Sequence, residues 1–119
     1  MAGPMVLVVE DEALIRFAIA DDLREAGFEV LEAATADDAI GILAREPGIR
    51  LLFTDIDMPG SMDGLRLLAV VRDRWPPVRI IVTSGKQVPA AAAMPAGSRF
   101  VPKPYTAAGV LDAVRSMLG

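Results

Sequence analysis

Apolar residues along this chain alternate between short unbroken runs and helically spaced sets. Met5 to Val9 is a continuous apolar run that ends abruptly in Glu10-Asp11-Glu12, which predicts a buried strand. Ile15, Ile19, Leu23 and Ala26 then recur at helical spacing, with Gly27 placed as a C-terminal cap. Phe28 to Glu32 predicts a short second strand, and Thr35 with Asp38 forms a capping-box pattern ahead of Ala39, Ile40, Leu43 and Ala44. Pro47-Gly48 ends that helix. Leu51 to Thr54 predicts a third buried strand, running into Asp55 and stopped by Pro59-Gly60. Leu65, Leu68, Ala69 and Arg72 line a third helix closed by Trp75-Pro76-Pro77, and Val78 to Thr83 reads as a fourth buried strand. Arg99 to Val101 is a short fifth strand, after which Thr106 caps a helix carrying Val110, Leu111, Val114, Met117 and Leu118. Between the last two strands, alanines favour a helix, but Pro89 and Pro95 leave room in the stretch 87–97 for barely two turns.

Strand and helix therefore alternate five times, which predicts a doubly wound α/β fold, a parallel sheet with helices on both faces. Right-handed crossovers place all the strands' carboxyl ends along one edge, and in such sheets ligands sit just outside that edge. A length of 119 residues fits one domain, expected over 5–119, with 1–4 as an N-terminal extension or cloning remnant that has no signal-peptide pattern.

Composition narrows the chemistry. With 53% apolar residues the chain can bury a real core, yet it has no apolar stretch long enough to span a membrane. Cysteine is absent, which excludes disulfides and thiolate metal sites and is compatible with the cytoplasm, the expected location. Histidine is absent too, removing the commonest general base and the usual zinc ligand. A net charge of −4 argues against direct nucleic-acid binding.

The polar residues at the strand ends are Glu10 and Asp11, then Asp55 and Asp57, then Thr83 and Ser84, and finally Lys103. Each has an ordinary explanation taken singly. Asp55 could open a turn, Glu10 and Asp11 could serve a helix dipole, and Lys103 could be a solvated surface residue. Together they bring carboxylates, a hydroxyl and an ammonium to one crevice. Carboxylate oxygens without nitrogen or sulfur ligands suit Mg²⁺, and a carboxylate can act as nucleophile to form an aspartyl phosphate. Mg²⁺, a lysine and a hydroxyl would stabilise charge on the transferring phosphoryl oxygens.

On these residues the chain resembles the receiver domains of bacterial two-component response regulators, the CheY-like domains. The motifs that carry the resemblance are Val8-Val9-Glu10-Asp11-Glu12, Thr54-Asp55 with Met58-Pro59, Met62-Asp63-Gly64, Val82-Thr83-Ser84-Gly85 and Val101-Pro102-Lys103-Pro104. The resemblance covers Val6 to Leu118 and implies five parallel strands in the order 2-1-3-4-5. It implies that Asp55 is the phosphoacceptor and that Asp11, Asp55 and the backbone carbonyl of Asp57 ligate Mg²⁺, with Glu10 acting through water. It further implies that Thr83 grips the phosphoryl oxygens, that Lys103 pairs with the phosphate, that Lys103-Pro104 is cis, and that Phe100 is a switch aromatic following Thr83. The expected partners are a histidine kinase or phosphotransfer protein and a downstream protein target, with no membrane contact. The expected form is a stand-alone regulator, although a receiver from a longer hybrid kinase would read the same. Two features depart from the family pattern: the loop from Pro59 to Met62 is one residue longer, and the stretch after Gly85, part of the usual output face, is short and broken by proline.

Three rival readings compete. Asp55-Ile56-Asp57 also resembles haloacid-dehalogenase-type phosphatases, where the second aspartate is a general acid; there, however, the pair follows the first strand of a larger domain. A calcium loop fails because Pro59 and Arg66 stand at its fifth and twelfth positions. A receiver-like interaction module acting without phosphorylation would be expected to lose the acceptor or the lysine, and this chain has both.

Overall fold

The structure, a computed structural model, describes residues 3–57, 64–86 and 94–118. Its elements run β1 (Met5–Val9), α1 (Ala13–Glu25), β2 (Glu29–Ala33), α2 (Ala36–Arg45), β3 (Ile49–Asp55), α3 (Gly64–Arg74), β4 (Arg79–Ser84), β5 (Arg99–Pro102) and α4 (Ala107–Leu118). All neighbouring strands pair in parallel, in the order β2-β1-β3-β4-β5. This is the doubly wound sheet that the alternation of patterns predicts.

Side-chain alternation along each strand divides the core into two layers. Leu7, Val9, Leu52, Ile80 and Val82 pack with Ala39 and Leu43 of α2 and Leu67, Leu68 and Val71 of α3. Val6, Val8, Leu51, Phe53 and Ile81 face the other way, against Ile19, Ala20 and Leu23 of α1 and Val110, Ala113 and Val114 of α4. Because β1, β3 and β4 are covered on both faces, they read in the sequence as unbroken apolar runs rather than alternating ones.

Local signals hold where they rest on backbone chemistry. Thr35 caps α2, its hydroxyl accepting from the Asp38 amide at 3.0 Å. Thr106 does the same ahead of α4, accepting from the Gly109 amide at 3.0 Å. Gly27 follows α1 with φ of 98°, a left-handed conformation that suits glycine. Trp75 packs at the end of α3 against the first core layer, with the Arg74 guanidinium 4.5 Å from its ring centre.

β3 begins two residues earlier than its apolar run. Exposed Arg50 hides the continuation, because Ile49 already pairs with Met5 across an irregularity in the β1–β3 register. Most of the uncertain stretch, 87–93, lies outside the described residues, as does the lengthened loop 58–63. Met94 to Ser98 carries a turn and no helix, with Gly97 at φ of 79°.

Candidate functional site

β3 lies at the centre of the sheet, and its last residue is Asp55. The sequence places this residue at a strand end, along the carboxyl edge of the sheet. It does stand at the strand's end, but the residue is only 2% exposed. Such a charge needs partners, and Asp55 has them: Lys103 Nζ donates to its Oδ2 at 2.8 Å, and the Asp57 amide donates to its Oδ1 at 2.8 Å. Lys103 follows β5 directly, and its own amide donates to the Ser84 carbonyl at 3.0 Å, which ties the lysine's backbone to the end of β4. The Lys103-Pro104 peptide is cis, as the resemblance implies.

Glu10 follows β1 and is as enclosed as Asp55, at 2% exposure. Its Oε1 lies 3.8 Å from Lys103 Nζ and has no hydrogen-bond partner among the described residues. Burial pushes the Glu10 carboxyl up to about 8, assisted by its hydrogen bond with Asp55 and by that neighbour's charge, while Lys103 pulls the other way. Burial alone would lower the Lys103 ammonium, but the hydrogen bond to Asp55 and the charges of Glu10 and Asp55 outweigh it and leave the ammonium raised. Tyr105, edge-on to Phe53 with ring centres 6.0 Å apart, is pushed up to about 12 by burial and by the Glu10 charge.

Buried Glu10, exposed Asp11 and buried Asp55 meet at one point: each offers a carboxylate oxygen within 4.8 Å of the others. A divalent cation of the hard, oxygen-seeking kind fits this donor set. It would relieve the repulsion that raises Glu10, and it would give the orphaned Oε1 a counter-charge. The open crevice above these residues is lined by Asp11, Glu12, Asp55, Ile56, Asp57, Gly85, Lys86 and Lys103.

The structure thus brings Glu10, Asp11, Asp55, Asp57 and Lys103 together. Thr83 neighbours them without lining the crevice: it pairs with Asp55 across β3 and β4, but its hydroxyl is buried and has no partner among the described residues. Phe100 sits on β5 opposite Val82 and packs against the first core layer.

Sequence reasoning missed two contributors. Asp57 is expected to offer only its carbonyl, yet its Oδ2 accepts from Ser84 Oγ at 2.7 Å and from the Gly85 amide at 3.1 Å. Arg16 of α1 donates to the Glu10 carbonyl at 2.8 Å and to Glu32 Oε1 at 3.3 Å, bracing the turn that carries the acidic pair. Nothing in the spacing of Arg16 and Glu32 announces that contact. Gly64, the first residue of α3, is required by packing, since a Cβ there would lie 2.9 Å from the Asp55 carbonyl oxygen and run into Ile56.

Comparison with known proteins gives the family and agrees with the fold. The sequence profile of the response regulator receiver domain matches residues 6–115. The response regulator protein FleR of Pseudomonas aeruginosa is 39% identical over 118 residues, covering 96% of this chain and 24% of FleR. The sensor kinase CckA of Brucella abortus is 34% identical over 117 residues, covering 95% of this chain and 12% of that protein. This chain therefore spans a quarter or less of the length of either. Among solved structures, a response regulator receiver protein from Sinorhizobium medicae superposes with a TM-score of 0.85 at 29% identity, covering 96% of this chain and 93% of that one. The receiver domain of the hybrid histidine kinase CckA superposes with a TM-score of 0.82 at 34% identity, covering 97% and 99%. By sequence and by fold, the chain belongs to the response regulator receiver domains, the phosphoacceptor signalling domains of two-component systems.

Proposed function

We propose that Asp55 is the phosphoacceptor of this domain, and that it takes its phosphoryl group from a histidine kinase or phosphotransfer protein. The observation that carries this reading is the pairing of one enclosed carboxylate with one ammonium at 2.8 Å, beside two further carboxylates at the mouth of the crevice. In the transfer, an Asp55 oxygen attacks phosphorus, the bond to the donor's nitrogen breaks, and the leaving nitrogen keeps the electron pair. Lys103 is placed to follow the charge from the carboxylate to the phosphoryl oxygens. Asp11, Asp55 and the Asp57 carbonyl would hold Mg²⁺, with Glu10 acting through water; the metal's charge offsets that of the incoming phosphoryl group. Thr83 becomes a phosphoryl ligand once its hydroxyl turns toward Asp55, and Phe100 is the aromatic that responds. The phosphorylated domain then acts on a protein partner through a shift between two conformations.

A phosphatase reading gives Asp57 the role of a general acid. Its carboxylate already accepts from Ser84 and Gly85, which favours a positioning role over proton transfer.

The test is intact mass after incubation with acetyl phosphate, with and without Mg²⁺. The wild type is expected to gain one phosphoryl group only with Mg²⁺, and Asp55→Asn to gain none. Equal labelling of Asp55→Asn would overturn the assignment. If no condition labels the wild type, beryllofluoride binding decides whether a competent acceptor site exists.

A further inference from the structure

Two features at the ends of β3 and β4 are not explained by the acceptor site in its unphosphorylated state. The first is the tie between Asp57 and β4. Ser84 Oγ donates to Asp57 Oδ2 at 2.7 Å, the Gly85 amide donates to the same oxygen at 3.1 Å, and Ser84 Oγ accepts from the Lys86 amide at 3.1 Å. Hydrogen bonds from a hydroxyl to a carboxylate are among the stronger ones in proteins. The second feature is Thr83, immediately before Ser84. It is 1% exposed, its hydroxyl has no partner among the described residues, and it does not line the crevice. A buried hydroxyl without a partner is costly and calls for an explanation.

We propose that Asp57 and Ser84 form a latch that holds the end of β4 in its resting position and opens when Asp55 carries a phosphoryl group. The proposal rests on Asp55 being the acceptor. Successive strand residues point to opposite faces, so Ser84 cannot be held against Asp57 without fixing where Thr83 points as well. In the resting position the Thr83 hydroxyl has no partner among the described residues. A phosphoryl group on Asp55 changes both sides of this balance. It adds negative charge two residues from Asp57, whose amide already donates to Asp55 Oδ1 at 2.8 Å, and so disfavours keeping that carboxylate close by. It also supplies the acceptor that Thr83 lacks. The end of β4 gives up the Ser84 bond and gains the Thr83 bond in one movement. Gly85 lines the crevice and lies against the Lys103 stem, so the same movement reshapes the crevice wall.

Linkage makes the latch measurable without phosphate turnover. Whatever weakens the resting state raises the apparent affinity for a phosphoryl mimic by the same factor, up to the limit at which the competent state is fully populated.

The experiment titrates the whole chain, in Mg²⁺, with beryllofluoride, for the wild type, Ser84→Ala, Asp57→Ala, the double variant and Ser84→Thr. Ser84→Ala changes no charge and is expected to bind more tightly by about tenfold or more, the effect of losing one charge-assisted bond from the resting state alone. The double variant should bind no more tightly than Asp57→Ala, since the two residues act as one unit. Ser84→Thr keeps the hydroxyl and should restore the wild-type value. In the free protein, exchange of the Gly85 amide should quicken in Asp57→Ala. Equal or weaker binding by Ser84→Ala, full additivity in the double variant, or unchanged Gly85 exchange would each overturn the latch. Failure of the wild type to bind beryllofluoride would instead overturn the acceptor assignment, and with it the latch's trigger.

Discussion

Lys103 Nζ lies 2.8 Å from Asp55 Oδ2 and 3.8 Å from Glu10 Oε1, so a single ammonium answers two buried carboxylates. Neither carboxylate has a second cationic partner among the described residues. Lys103 is therefore a structural counter-ion before it is anything else.

Lys103→Met keeps the aliphatic stem and removes the charge. In metal-free buffer near neutral pH it is expected to destabilise the fold by about 3–5 kcal/mol, the usual cost of removing one partner of a buried ion pair. Urea unfolding measures this. The deficit should shrink when Mg²⁺ is added, and again at acid pH, where Glu10 is neutral. A deficit that ignores both would mean the lysine stabilises through packing instead.

Glu10 gives the metal-free protein a pH dependence of definite sign. Its carboxyl rises from 4.5 to about 8 on folding, so between those values the folded chain holds a proton that the unfolded chain has released. Stability therefore falls as pH rises from about 4.5 to about 8 and levels off beyond. Lys103 and Tyr105, also raised, act only at more alkaline pH. Thermal unfolding in EDTA should show this slope, and Glu10→Gln should flatten it. Mg²⁺ should raise the melting temperature most at the alkaline end of the window, where Glu10 is ionised, because a cation that binds only the folded state stabilises it. An unchanged melting temperature in both EDTA and Mg²⁺ would rule out the acidic cluster as a metal site.

Gly64→Ala tests the packing of α3 against the acceptor strand. The added Cβ meets backbone of Ile56 and the Asp55 carbonyl oxygen, neither of which can rotate away. A loss of about 1–3 kcal/mol in urea unfolding is expected, the range for overpacking. Gly41→Ala is the control: its added methyl would meet only the Arg45 side chain at 3.5 Å, and it should be neutral or stabilising.

The strand-end rule is why the acceptor and its lysine are legible in the sequence. Asp55 and Lys103 each follow a short extended run, and in a parallel sheet such positions converge without further information. The caps at Thr35 and Thr106 are legible because their chemistry spans only three residues. Arg16 is not, since its partners Glu10 and Glu32 reach it through the fold, and an arginine on a helix surface has no signature of its own. Asp57 misleads for a related reason. Its residue type suggests exposure, while its partner Ser84 stands 27 positions away on another strand. Thr83 is placed correctly at the end of its strand, but its sequence position does not tell that its hydroxyl is buried without a partner among the described residues.

β5 has one strand neighbour, four register pairs to β4, and a proline at its last position. Local opening is expected to cost less at an edge strand than at β3, which is paired on both sides. Asp55 ends a central strand, whereas Lys103 follows an edge strand. A local opening of β5 would therefore draw the ammonium away from Asp55 while β3 stays paired, and amide exchange faster along β5 than along β3 would register it.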